Sequence, residues 1–277
     1  MNLSRFGVWT SLRVIGAENG AEAARLAESL GFGAFWLGGS PRLPEARALL
    51  EATSSLVVAT GIVNVWAYEP ADLAADYAAL SPEFGERLLV GIGIGHREAT
   101  QEYAKPLPTM RAFLDGLDAA DPPLPPQARC IAALRARMVA LAGERSLGTH
   151  PYFTPVAHTR AVREALGPGA LVAPELACVV DTDAERADRT ARDYASMYLQ
   201  LSNYVDNLRE YGFTDADFAD GGSDRLLDAV IPRGTAADIA AVVHAHLEAG
   251  ADHVCLQPLG AQGIPGDAWT ALAAELI

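Results

Sequence analysis

Two histidines, His96 and His150, stand where apolar runs stop. His96 closes LLVGIGIGH (88–96), in which Gly91, Gly93 and Gly95 alternate, and His150 lies in THPYF (149–153), two residues ahead of Tyr152. Imidazole titrates near neutral pH, so either ring could trade a proton with a substrate or donate to a bound carbonyl. The glycines invite a nucleotide-phosphate reading. That fingerprint needs G-x-G-x-x-G between strand and helix, with an acidic residue roughly 20 positions on. His96 occupies the place of the last glycine, and Asp115 alone does not rescue the match. The alternating glycines either make a turn or let a flat ligand approach the backbone.

Other polar candidates are fewer. His158 and Thr159 begin a helical segment, where free backbone N–H groups suit a phosphate. Thr154 and Thr159 could add hydroxyl donors or simply cap the helix. Tyr152 either lines a pocket with His150 or packs. His244 and His246 fall inside an amphipathic segment and His253 opens a strand, so all three read as structural or solvated. The chain carries no G-x-S-x-G, P-loop, H-E-x-x-H or paired cysteines. The acidic stretch DTDAERADRTARD (181–193) lacks calcium-loop glycine spacing and reads as a solvated helix face.

The elements that must position these groups alternate. Strand-like runs fall at 6–10, 34–37, 56–65, 88–92, 130–134, 147–150, within 171–180, and at 253–257. Helical segments lie between them. In 22–30, Ala23, Leu26, Ala27 and Leu30 form one apolar face, and Gly31 stops the helix. Thr235 caps a helix over 235–249 that Gly250 ends. DPPLPPQ (121–127) is too rich in proline for either element. Eight strand–helix alternations predict an α/β fold, a (β/α)₈ TIM barrel, with a doubly wound sheet as the other possibility. In a barrel, His96 and His150 would both follow strands on the C-terminal face, where active sites lie. Residues 183–228 are polar, helical and strandless, and predict a helical insertion between the seventh and eighth strands. Its Tyr194, Met197, Tyr198 and Leu201 share one helical face, which should fold over the pocket or pack on the outer helices.

Half of the 277 residues are hydrophobic, enough for a large core in a single domain spanning 1–277. A net charge of −14 argues against nucleic acid, whose binding rests on Lys and Arg neutralising phosphates. No apolar run approaches the ~20 residues of a membrane span, and no signal-peptide core follows Met1. Cys130, Cys178 and Cys255 are odd in number and set in apolar stretches, as expected of reduced thiols in a cytoplasmic protein.

Three segments together resemble the luciferase-like, or bacterial-luciferase, superfamily: VVATGIVNVW (57–66), GERLLVGIGIGH (85–96) and AGADHVCLQ (249–257). Within it they look most like the actinobacterial oxidoreductases that use the deazaflavin coenzyme F420. Further similarity at 149–153, 158–175 and 212–229 extends the resemblance over nearly the whole chain.

The resemblance implies a barrel holding a flavin or deazaflavin at the C-terminal strand ends. It implies a bulge with a non-proline cis peptide in the third strand, at Gly61–Ile62, backing the ring, with Gly93 and Gly95 beside it. Asn64 could bond the ring's polar edge or be a satisfied core amide. The cofactor's phosphate would lie near Thr154, His158 and Thr159. One departure matters. Many F420-dependent relatives carry an acidic residue and a histidine at the end of the second strand, where this chain reads WLGGSP. Gly38 and Gly39 would instead leave room for substrate, and Tyr198 would contact it. The expected activity is hydride exchange between F420 and a small organic substrate, in a homodimer. An FMN-dependent monooxygenase, or a barrel that binds cofactor without turnover, are the alternatives.

Overall fold

A computed structural model describes residues 1–99 and 103–277. Its strands are parallel and run in sequence order around a barrel. We number them β1 (Phe6–Thr10), β2 (Ala34–Leu37), β3 (Val57–Thr60), β4 (Leu88–Gly93), β5 (Arg129–Ile131), β6 (Gly148–Thr149), β7 (Glu175–Val180) and β8 (Val254–Pro258). Closure depends on one stretch of chain. Leu171–Val172 pairs with β6, and Glu175–Cys178 immediately beyond pairs with β8, which in turn pairs with β1. Residues 171–180 therefore join both ends of the sheet, and the (β/α)₈ reading holds over the doubly wound one.

Alternation along the strands divides the core. Ala34, Trp36, Val57, Ala59, Leu89, Cys130, Ala173 and Cys255 form a cluster inside the barrel. Their neighbours Phe35, Leu37, Val58, Leu88 and Val90 face outward under the helices, among residues such as Leu73, Val243 and Trp269. The helices follow their sequence signals. In Ala236–Glu248 the Thr235 hydroxyl accepts the Asp238 N–H at 3.2 Å, while Asp238 accepts the Thr235 N–H at 2.9 Å. Ile239, Val243 and Leu247 supply the buried stripe. No helix among the described residues is long and apolar enough to cross a membrane.

Two features lie outside the plain strand–helix alternation. The third strand is interrupted: β3 ends at Thr60, and Val63–Asn64 resumes pairing with Ile92 and Gly93 of β4. The break falls at Gly61–Ile62, where the resemblance placed it. The peptide there is not cis; among the described residues the one cis bond is Asp121–Pro122. Gly61 N–H donates to Leu37 O at 2.6 Å, which ties the break to β2. The insertion between β7 and β8 is helical as predicted, with helices at Ala184–Tyr198, Ser202–Glu210, Asp215–Phe218 and Asp224–Val230. It has its own apolar cluster, in which Ala187, Ala191, Leu208, Leu226 and Leu227 pack with Phe153, Ala177 and Val179 of the barrel.

Candidate active site

The C-terminal mouth of the barrel is lined with aromatic rings. Tyr152, just past β6, is the centre. Its ring lies 5.4 Å from Trp9 of β1 and 5.5 Å from Tyr198 of the insertion. Its hydroxyl donates to Gln257 Oε1 at 2.7 Å, lies 3.2 Å from the Tyr198 hydroxyl, and is in close contact with that of Tyr194. Gln257 Nε2 donates back to Tyr194 at 2.8 Å. Three phenol oxygens and one amide thus converge from β6, β8 and the insertion. Trp9, Tyr152, Tyr194 and Tyr198 are each only partly buried. Burial is the main reason all three phenols titrate above the usual tyrosine range.

Glu175, at the start of β7, is 1% exposed beside this cluster. Its Oε2 accepts the Phe153 N–H at 3.3 Å, and its Oε1 is buried without a partner. Burial pushes this carboxyl up to about 8, against the opposing pull of the Phe153 N–H. Phe153 itself sits at φ +56, a left-handed conformation that costs a non-glycine residue on the order of 1–3 kcal/mol. The backbone turn carries Tyr152 toward the mouth and presents the next N–H to Glu175. The other unpartnered buried group here is the Trp9 indole N–H.

The predicted glycines meet different surroundings. A Cβ on Gly38 would lie 2.1 Å from Trp9 Cη2, so the room expected there for substrate is filled by the indole. Gly39 (φ +78) has only Ser11 nearby, and with Gly38, Ser40 and Glu45 it lines a cavity of about 250 Å³ at the ends of β1 and β2. A Cβ on Gly61 would lie 2.9 Å from Trp9 Nε1, and one on Gly93 would lie 2.8 Å from the Ile62 side chain. Gly95 (φ +63) abuts the Asn64 amide, whose Oδ1 accepts the Trp66 N–H at 3.0 Å. Ile62, Asn64 and Gly95 are half-buried, so the break in β3 and the end of β4 form one partly open wall.

Residues 2–120 match the luciferase-like monooxygenase family. The match spans the first half of this barrel, from β1 through the helix Pro106–Ala119. No curated protein matches the chain. Solved structures resemble the whole of it. An F420-dependent secondary alcohol dehydrogenase bound to an F420–acetone adduct superposes with a TM-score of 0.75 at 15% identity, covering 99% of this chain and 98% of its own. The coenzyme F420-dependent tetrahydromethanopterin reductase of Methanopyrus kandleri gives 0.74 at 16% identity, covering 99% of both chains. The FMN-bound oxygenating constituent of 3,6-diketocamphane monooxygenase from Pseudomonas putida gives 0.70 at 13%, covering 98% of this chain and 96% of its own. These likenesses share the barrel fold and do not separate F420 from FMN.

In this barrel His96 and His150 do not share a cavity. His96 is half-buried at the mouth, with Nδ1 3.0 Å from Asn203 Oδ1 and its ring 5.2 Å from that of Tyr204. Nearby, Glu98 accepts the Ser202 hydroxyl at 2.7 Å and its N–H at 3.0 Å. The loop after β4 is thus hooked to the insertion at the C-terminal end of the barrel. His150 is 2% exposed and stacks on Trp36 with ring centroids 4.1 Å apart, well inside the barrel. Its Nδ1 lies 2.7 Å from Ala173 O, and burial lowers its titration to about 4. β6 is only two residues long. Its Thr149 hydroxyl turns to Ile131 O, so the next side chain goes inward.

The three residues expected near a phosphate are also enclosed. Thr159 bonds His246 Nδ1 at 2.8 Å between two outer helices, and His158 Nε2 lies 2.8 Å from Leu134 O. Thr154, His158 and Thr159 are each at most 1% exposed, so this helix start presents no hydroxyl to the mouth. Sequence reasoning passed over Trp9, Glu175 and Gln257. The signal available for Glu175 was an acidic residue opening an otherwise apolar strand, ELACVV.

Proposed function

We propose that this chain is an oxidoreductase in which reduced coenzyme F420 gives a hydride to a small organic substrate at the barrel mouth. The observation that carries the reading is the mouth itself. A half-buried aromatic wall of Trp9, Tyr152 and Tyr198 faces the break at Gly61–Ile62, and the buried Trp9 indole N–H there lacks a partner. Such a wall fits a planar ring with a polar edge. Trp9, Ile62, Asn64, Gly93, Gly95 and Tyr152 would hold that ring, and the cofactor would supply the redox chemistry. The chain's own residues would exclude water through the insertion and orient the substrate beside Gly39 and Tyr198. They would also keep a proton at the tyrosine hydroxyls. The resemblance of segments 57–66, 85–96 and 249–257 to F420-dependent oxidoreductases supports this choice.

The second reading is an FMN-dependent monooxygenase, favoured by the family matched over residues 2–120 and by the FMN-bound structure. Fold alone does not discriminate. Fluorescence titration with F420 and with FMN does. Saturable F420 binding at least tenfold tighter than FMN, followed by anaerobic oxidation of reduced F420 with a carbonyl acceptor, is the expected outcome. Tighter FMN binding and oxygen-dependent turnover would replace it with the second reading.

A further inference from the structure

We propose that Glu175 is the proton store of the barrel mouth, a neutral carboxylic acid that acts through the Tyr152 hydroxyl cluster to protonate the oxygen of a carbonyl substrate. This rests on the hydride-transfer reading above and deepens it by naming the substrate class. Four observations converge. Glu175 is fully enclosed on an inward-facing strand, and its Oε1 is buried without a partner. Its other oxygen is pinned by the N–H of Phe153, the residue after Tyr152, through a left-handed backbone that no sheet pairing requires. Its charge bears on Tyr152, Tyr194, Tyr198, Tyr204, Cys178 and Cys255, and among the described residues no salt bridge pairs it with a Lys, Arg or His. A carboxyl with no cation beside it is kept neutral by burial, so it holds a proton where most carboxyls have lost theirs.

The end of the second strand, reading Gly38–Gly39, supplies no ionisable group. His150 is sealed below the mouth against Trp36, so its place as proton donor is open. Tyr152 precedes Phe153, whose N–H holds Glu175 Oε2, and its own hydroxyl lies in the phenol cluster of the mouth. Its hydroxyl network reaches Tyr198, on the insertion, and Gln257, on β8. In the step, the substrate carbon gains a C–H bond from the hydride that the reduced deazaflavin supplies. The carbonyl π pair takes a proton from Tyr152 to form the alcohol O–H; the Glu175 carboxyl, whose Oε1 has no partner in the resting structure, turns to the phenolate and its proton restores the phenol. The proton released on oxidation of the cofactor goes to solvent, and solvent returns one to Glu175, so atoms and electrons balance.

The test compares wild type with Glu175→Gln, Glu175→Asp and Tyr152→Phe. Urea unfolding is measured across pH, and single-turnover oxidation of reduced F420 is followed with cyclohexanone as the probe carbonyl. Between about 4.5 and about 8 the native carboxyl keeps a proton that the unfolded chain has lost. Rising pH therefore draws wild type toward unfolding, and Glu175→Gln should gain on it steadily through that window. In turnover, the wild-type rate should fall above the upper limit. Glu175→Gln should be about 100-fold slower with a flat profile, and Glu175→Asp should recover the falling limb. Tyr152→Phe should be slow while keeping the pH-dependent stability. A stability difference that ignores pH overturns the proton store. Transfer with superimposable pH profiles in wild type and Glu175→Gln overturns its role alone. No transfer in wild type removes the hydride-transfer reading on which the role stands.

Discussion

Trp9 fills the place that a side chain at residue 38 would take: a Cβ on Gly38 would lie 2.1 Å from the indole Cη2 and 2.3 Å from Cζ2. Trp9 lies on β1 and Gly38 directly follows β2, its paired neighbour, and the missing side chain of Gly38 is what lets the indole lie there. Gly38→Ala must therefore displace a ring rather than occupy a void. Overpacking of this kind costs about 1–3 kcal/mol. Urea denaturation should show that loss, with quenched or shifted Trp fluorescence. An unchanged midpoint with unchanged fluorescence would mean the indole has free space that this packing denies it.

The insertion should behave as a cover hooked at His96–Asn203 and Glu98–Ser202. Asn203→Ala removes one hook, and a side-chain hydrogen bond contributes about 0.5–1.5 kcal/mol. Amide exchange over the segment around 196–206 should accelerate several-fold while β2 and β8 stay protected. Uniform acceleration throughout the barrel would show a global loss of stability and would sink the idea of a separate cover.

Tyr198→Ala should raise the substrate KM several-fold and leave cofactor affinity nearly intact. Tyr198 reaches the mouth from the insertion, whereas Trp9, Ile62 and Asn64 belong to the barrel wall. Steady-state kinetics beside a cofactor titration separates the two. Equal loss of both would place Tyr198 in the cofactor wall instead.

Thr159→Val should destabilise the protein without weakening cofactor binding. Thr159 bonds the buried His246, and that lost partner leaves a ring nitrogen unsatisfied at about 1–3 kcal/mol. Thermal unfolding and a fluorescence titration on the same variant are the measurements. A tenfold weaker cofactor Kd at unchanged stability would restore Thr159 as a phosphate ligand.

Glu28 gives a pH dependence of opposite sign to that of Glu175. Burial alone would push its carboxyl up, but N–H groups of Ser55, Leu56 and Ser54 and the Ser55 hydroxyl outweigh that and hold it at about 2. The native state favours the ionised form, so its contribution is present above about 4.5 and fades as pH falls toward about 2. Glu28→Gln should be less stable than wild type at pH 7, and the gap should narrow under acid. A gap constant from pH 7 to pH 3 would show that the loop 54–56 does not need the charge.

Patterns within one element were legible from the sequence. The apolar stripe of 236–248 with its Thr235–Asp238 box, the glycine stops and the polar helical excursion after β7 are each written in residues a few positions apart. Local spacing decides which face of a helix or strand is buried, and eight repeats of that signal favoured a barrel. The resemblance located the break at Gly61–Ile62 but implied a cis bond that the chain does not form. Which side chains meet inside the barrel was settled only by closure. Thr159 and His246 are 87 positions apart, Tyr152 and Gln257 105, and His253 and Trp36 217. In a strand of two residues, period-two alternation is too short to fix direction, so His150 could turn inward to Trp36 while Tyr152 reached the mouth. Burial of Glu175 likewise depends on the insertion and the far side of the sheet, which the local sequence ELACVV does not encode. The residue types were present in the chain; their proximity came from the joining of residues 171–180 to both ends of the sheet.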